Sequence, residues 1–115
     1  MVRDAEVTYR VDDGIAFLDF PRDVTAQTRG PAYRAYHALD HAAVRTLALN
    51  FAASDYLNSA GIGLVISLVE DGLQAGHQIY GVGLSAHYSK LFGMVGLTEN
   101  MKLVQSEQDV HGAGG

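Results

Sequence analysis

The stretch from Thr46 to Gly76 constrains the fold more than any other part of the chain. Thr46-Leu47-Ala48-Leu49-Asn50-Phe51 is an apolar run of strand length. A polar turn follows and ends in Asp55-Tyr56-Leu57-Asn58-Ser59. Ala60 then opens a long apolar segment that reads as a helix to about Ala75, with Gly76 as its stop. A helix this apolar needs another layer to bury its face, and a preceding strand points to a sheet as that layer.

The flanking sequence supplies the other strands. Val7 to Val11 and Ile15 to Phe20 are β-prone runs separated by Asp12-Asp13-Gly14, and Asp-Gly between such runs predicts an antiparallel hairpin. Pro21 to Gly30 has turn residues at both ends and no clear period. Pro31 suits the first turn of a helix to about Ala43, with Ala32, Ala35, Tyr36, Leu39 and Ala43 on its apolar face. Gln78 to Val82 is a further strand. Ser85 can cap a helix from Ala86 to about Val95, ending near Gly96, and Lys102 to Gln105 makes a last strand. The expected architecture is a single α/β domain over residues 1–105, with an N-terminal β-hairpin and a mixed sheet of four to five strands packed with helices. Residues 106–115, polar and Gly-rich, read as a flexible tail.

At about 100° per residue, Ile62, Val65, Ile66, Val69 and Leu73 form the stripe of the central helix expected to face the sheet. Ser67, Glu70, Asp71 and Gln74 lie opposite. Leu64, Leu68 and Ala75 flank the stripe, either covered by neighbouring helices or left as an apolar shoulder for a partner. Ser59, Gly63 and Ser67 follow one another at i, i+4 and i+8, a line of small residues along which another backbone can come close. Glycine costs about 1 kcal/mol relative to alanine inside a helix, so Gly61 and Gly63 imply a need for space. Packing within the domain and docking of a partner both meet that need.

Composition narrows the function. With 115 residues, 48% of them hydrophobic and 18% charged, the chain has enough for one core. The net charge of −5 and only 8 scattered basic residues argue against a nucleic-acid groove. The absence of cysteine removes disulfides, thiolate metal sites and thiol nucleophiles. Val2, Arg3, Asp4, Ala5 and Glu6 put charge where a signal peptide needs an apolar core, and the run Leu47 to Val69 is too interrupted to span a bilayer. A cytoplasmic domain without membrane insertion is expected.

Ser59 sits in the first turn of the central helix, where free N–H groups and the helix dipole favour an anion such as a phosphate. The plain alternative is that Ser59 only caps the helix. Other chemistries find less support. His37 and His41 are four apart on the expected helix but lack an evident third ligand, so they read as solvated rather than metal-binding. Gly81-Val82-Gly83-Leu84-Ser85-Ala86 matches a dinucleotide turn in form, but comes too late in the chain for one. A small hydrolase using Ser59 would need a base, for which only His77 and His87 offer themselves, and no Gly-x-Ser-x-Gly elbow is present. Tyr33, Tyr36, Tyr56, Tyr80 and Tyr88 read as half-buried packing residues. No catalytic residue, cofactor or metal is expected.

The run Leu47 to Leu68, with its turn Asn58-Ser59-Ala60-Gly61, resembles the signature of STAS domains, and within them the anti-sigma factor antagonists. Val82-Gly83-Leu84-Ser85-Ala86 and the closing Val95-Gly96-Leu97 are similar to the same family's later strand, helix and Gly-Leu. The resemblance implies a partner-switching role, in which the unphosphorylated antagonist binds an anti-sigma factor, commonly a serine-protein kinase, and frees the sigma factor. It implies Ser59 as phosphoacceptor and Asn58, Ser59, Ala60, Gly61, Gly63 and Ser67 as the partner-binding surface. Many members have Asp before the serine. Asn58 removes that negative neighbour, which eases phosphate accommodation and also removes a carboxylate that a kinase can contact. The alternative the resemblance leaves open is a STAS scaffold or subunit, in a stressosome-like or lipid-transport complex, that binds partners without a phospho-switch.

Overall fold

In the computed structural model, residues 6–114 are described, so the charge pattern of Val2 to Ala5 lies outside the described residues. Strands β1 (Thr8–Asp12) and β2 (Ile15–Asp19) pair antiparallel, with Asp12 opposite Ile15. Asp13 at φ 54 and Gly14 at φ 77 are both left-handed. That is the two-residue hairpin turn whose twist matches the flanking strands. From β2 onward the sheet is parallel: β4 (Thr46–Asn50), β6 (Gln78–Val82) and β7 (Lys102–Val104) complete the order β1-β2-β4-β6-β7. Only β1 makes the sheet mixed.

Both faces of this sheet are covered, which is why β2 and β4 are buried along almost their whole length instead of alternating. Ala16, Leu18, Leu47, Leu49 and Ile79 point into the larger core with α1 (Arg29–His37), α2 (Ser59–Gln74) and α3 (Ala86–Met94). Ile15, Phe17, Ala48, Tyr80 and Val82 form a smaller core on the opposite face. The residues expected to be a loose tail build its cover. Glu107–Gly114 is helix α4, with Val110 fully buried in the smaller core. Glu107 holds the helix down through Arg10, whose guanidinium grips Glu107 and Asp19 in paired contacts of 2.8–3.1 Å. Gly115 lies outside the described residues.

Three further expectations shift. First, α1 ends at His37 instead of Ala43. Asp40 accepts the backbone N–H of Ala42 at 3.2 Å, and this local turn competes with the helix. Ala43 consequently faces solvent, and Val44 takes the core position. Second, the segment from Pro21 contains strand β3 (Asp23–Val24), which pairs parallel with β5 (Tyr56–Leu57). A 3-10 turn at Ala26–Thr28, capped by Thr25, then leads into α1. Two-residue strands leave no periodicity to read, and Tyr56 is exposed rather than half-buried.

Third, the buried face of α2 is rotated from the expected stripe. Leu64, Val65, Leu68 and Val69 are buried, together with Gly61 and Gly72. Ile62 and Ile66 are half-buried and Leu73 is 39% exposed. The glycines cause the rotation. A Cβ at Gly72 would stand 2.6 Å from Cδ1 of Ile79, and one at Gly61 would run into the carbonyl of Val24. The helix comes closest to the rest of the domain along a line where it has no side chains, so counting apolar residues misses that line.

Candidate functional site

The N-terminus of α2 is held by its neighbours. Asn58 has extended backbone (φ −87, ψ −177), and its side-chain oxygen accepts the Gly61 N–H at 2.9 Å. Its own N–H donates to the Val24 carbonyl at 3.2 Å. Just upstream, Asp55 and Tyr56 donate to the Arg22 carbonyl, and Ser54 Oγ donates to the Pro21 carbonyl at 2.7 Å. The Tyr88 hydroxyl in α3 accepts the Leu57 N–H at 3.0 Å, linking this turn to the next helix. Ser85 caps that helix by accepting from Tyr88 N–H.

The cap of α2 is therefore Asn58, not Ser59. Amide and carboxylate side chains cap comparably well, so an asparagine here keeps the structural role an aspartate would have without its charge. Ser59 is the first helical residue and is exposed, with its hydroxyl not required for the helix end. The N–H groups of Ser59 and Ala60 belong to the set that no preceding turn can satisfy. A phosphate on Ser59 would meet them and the positive end of a 16-residue helix.

The structure separates the remaining expected surface residues. Ala60 is exposed, whereas Gly61 is buried and its size is dictated by Val24. Gly63 is different: a Cβ there meets nothing within 4 Å. Ser67 returns its hydroxyl to the Gly63 carbonyl at 3.1 Å and accepts from Arg29 at 3.4 Å, so the Arg29 side chain lies along the far end of this edge. Below it, Tyr33 donates to Asp71 at 2.6 Å, and burial together with that carboxylate pushes the phenol up to about 12.

Along the C-terminal half of α2 lies an apolar rim. Leu64 and Leu68, candidates for an exposed shoulder, are fully buried. The exposed apolar surface comes instead from Leu73, from Met94 at 73% and Val95 at 48% exposure, and from half-buried Ile66 beside them in a shallow groove with Glu70 and Asn100. Met94 and Val95 were missed because they end a short helix, where periodicity is weakest.

Among the described residues no group of three or more His, Cys, Asp or Glu is placed to hold a metal ion. His37 is exposed, while His41 turns away from it and bonds His77. His77 follows the C-terminal end of α2, about 24 Å of helix from Ser59 at 1.5 Å per residue, and cannot serve it as a base. Gly83, at φ 76, lies in a strand-to-helix turn where a Cβ would run into Ala52. Among the described residues no helix is long and apolar enough to cross a membrane.

A helix-covered, mostly parallel five-stranded sheet with an antiparallel first strand, and a capped turn leading into its central helix, is the STAS fold, the fold of the anti-sigma factor antagonists. No protein-family model and no curated protein matches the sequence, so the likeness lies in the structure. An anti-sigma factor antagonist from Mycobacterium paratuberculosis superimposes with a TM-score of 0.75 at 18% identity, over 93% of this chain and 91% of that one. The Bacillus cell fate determinant SpoIIAA in its phosphorylated form is similar at a TM-score of 0.67 and 21% identity, covering 93% and 98% of the two chains. The fold also forms part of the murine Slc26a9 anion transporter, at a TM-score of 0.68 and 18% identity, covering 87% of this chain and 17% of that one.

Proposed function

We propose that this protein is an anti-sigma factor antagonist. It binds an anti-sigma factor of the serine-kinase type through the exposed N-terminal half of α2, acts in the cytoplasm, and is released by phosphorylation of Ser59. One observation carries the reading: Asn58 does the capping, which leaves Ser59 exposed on an anchored turn with its hydroxyl free for transfer. The STAS fold supports the role, as does the likeness to an antagonist that exists in a phosphorylated form. The chain itself needs no catalytic residue, because the kinase supplies the chemistry.

The switch follows from charge and space. A phosphoryl group adds about −1.5 to −2 charge and three strong acceptor oxygens. Within the domain the helix end stabilises that charge. Toward a partner, the same group stands one turn from the open surface at Gly63, where a close-packed interface would have to desolvate it. The fold stays intact and affinity drops. Binding of wild type, Ser59→Ala and Ser59→Asp proteins to candidate anti-sigma factors, with intact-mass analysis after incubation with ATP, tests this. Ser59→Ala should bind and stay unmodified, and Ser59→Asp should bind at least tenfold more weakly, about 1.4 kcal/mol. Equal binding by all three, with no mass shift in wild type, would favour the scaffold role instead. The occurrence of the fold within a transporter keeps that second reading in view.

A further inference from the structure

His41 and His77 fix each other's protons. His41 lies in the turn after α1, and His77 joins α2 to β6. Their rings stack at 29° with centroids 5.1 Å apart, and His41 Nδ1 is 2.8 Å from His77 Nε2. His41 Nε2 stands 2.9 Å from the Tyr36 carbonyl oxygen, which can only accept, so that nitrogen carries a proton. In a neutral ring His41 Nδ1 is then bare, and the proton between the rings belongs to His77 Nε2. His77 Nδ1 is left as an acceptor. It is buried without a hydrogen-bond partner, on a residue only 4% exposed. While the Tyr36 contact holds, no neutral tautomer repairs this defect.

One added proton, placed on His77 Nδ1, leaves that nitrogen a donor still without a hydrogen-bond partner, but keeps a single proton between the rings. A second proton sets two N–H groups against each other across 2.8 Å. We propose that His41 and His77 form a one-proton latch between the turn after α1 and the C-terminal end of α2, closed with no proton or one and forced open by the second.

The neighbouring groups leave the latch to its own chemistry. The Tyr36 ring of α1 packs 4.4 Å from His41, with the His37 ring on its other side. Asp40 in the turn is engaged by Ala42 N–H, and Asp71 of α2 by Tyr33. Glu99 and Lys102, of opposite sign, line the cavity that His77 borders. Burial, and then the charge of His41, hold His77 below the ordinary histidine value.

The sign of the pH effect follows. The unfolded chain takes a proton on each ring below about pH 6.5. The folded pair takes one at most, so stability falls as pH drops and the difference persists until the latch opens. One proton of difference raises the unfolding constant about tenfold per pH unit. Urea unfolding of the full chain between about pH 7.5 and pH 5 tests this against His77→Gln, whose amide can donate to a neutral His41 Nδ1 or, turned over, accept from a protonated one. The wild-type unfolding constant should rise about tenfold more per unit below about pH 6 than the variant's. Equal slopes overturn the latch. Should the variant fail to fold, ring-nitrogen NMR of the wild type decides: Nε2–H on both rings near pH 7.5 supports the latch. A proton on His77 Nδ1 there, or two doubly protonated rings in folded protein near pH 5, overturns it.

Discussion

Two glycines two positions apart in α2 should respond to the same substitution with opposite signs. Gly→Ala in a helix gains up to about 1 kcal/mol of propensity, through the lower entropy of the unfolded chain. At Gly63 nothing opposes that gain, because a Cβ meets no atom within 4 Å. Gly63→Ala should therefore stabilise the domain by about 0.5–1 kcal/mol and raise its Tm by a few degrees. At Gly61 the Cβ would lie 2.8 Å from the Val24 carbonyl carbon, and nearer still to its oxygen. That carbonyl also accepts from Asn58 N–H, so it cannot swing away without breaking the bond that holds the turn. A backbone displacement of this kind costs about 1–3 kcal/mol, and Gly61→Ala should be destabilising by about 1–2 kcal/mol after the propensity gain. Urea unfolding of the two variants measures both. Shifts of the same sign would refute the assignment of Gly61 to internal packing and Gly63 to an open face. A partner assay adds a second reading: if the Gly63 face docks a partner, Gly63→Ala should weaken binding while the domain becomes more stable.

Other outcomes follow from single contacts. Asn58→Ala removes the α2 cap and should cost about 1 kcal/mol in urea unfolding, whereas Asn58→Asp should stay within a few tenths of wild type. Burial alone would raise the Asp19 carboxyl, but hydrogen bonds from Arg10 and Asn50 hold it below its usual range. The stability it contributes is thus present above about pH 4 and lost as pH falls through its folded value, and an Asp19→Asn protein should lose less stability over that interval. Val110 is fully buried and is the apolar anchor of α4 in the smaller core. Val110→Ala should cost about 1–2 kcal/mol and raise hydrogen exchange in α4 before any other helix.

What was legible in the sequence followed from strong local signals. Asp-Gly placed the hairpin within a residue, Ser85 and Gly96 bracketed α3, and Gly76 stopped α2, because each of these residues has a backbone or capping role that needs no tertiary partner. The misreadings share a physical cause. The phase of α2 was set by glycines that let it approach Val24 and Ile79, and a glycine is invisible to a hydrophobicity count. α4 folds because the smaller core takes in Val110 and Arg10, far away in sequence, grips Glu107, and its own composition gives no hint of either. Within the candidate site, the turn and Ser59 could be placed from the sequence. That Asn58 caps in place of Ser59, and that the apolar rim comes from Met94 and Val95 instead of Leu64 and Leu68, required the neighbours to be in place.

The grip of Arg10 on Glu107 joins residues 97 apart in sequence. During synthesis, the hairpin and the first parallel strands can assemble as soon as they leave the ribosome, but the face bearing Phe17, Ala48 and Tyr80 must wait for the last helix to cover it. Until then the nascent domain exposes an apolar sheet surface, the kind of surface that chaperones bind and that drives aggregation when synthesis stalls. The short polar segment of α4 thereby sets when the second core can close, and a chain lacking it would keep its candidate binding site while losing that cover.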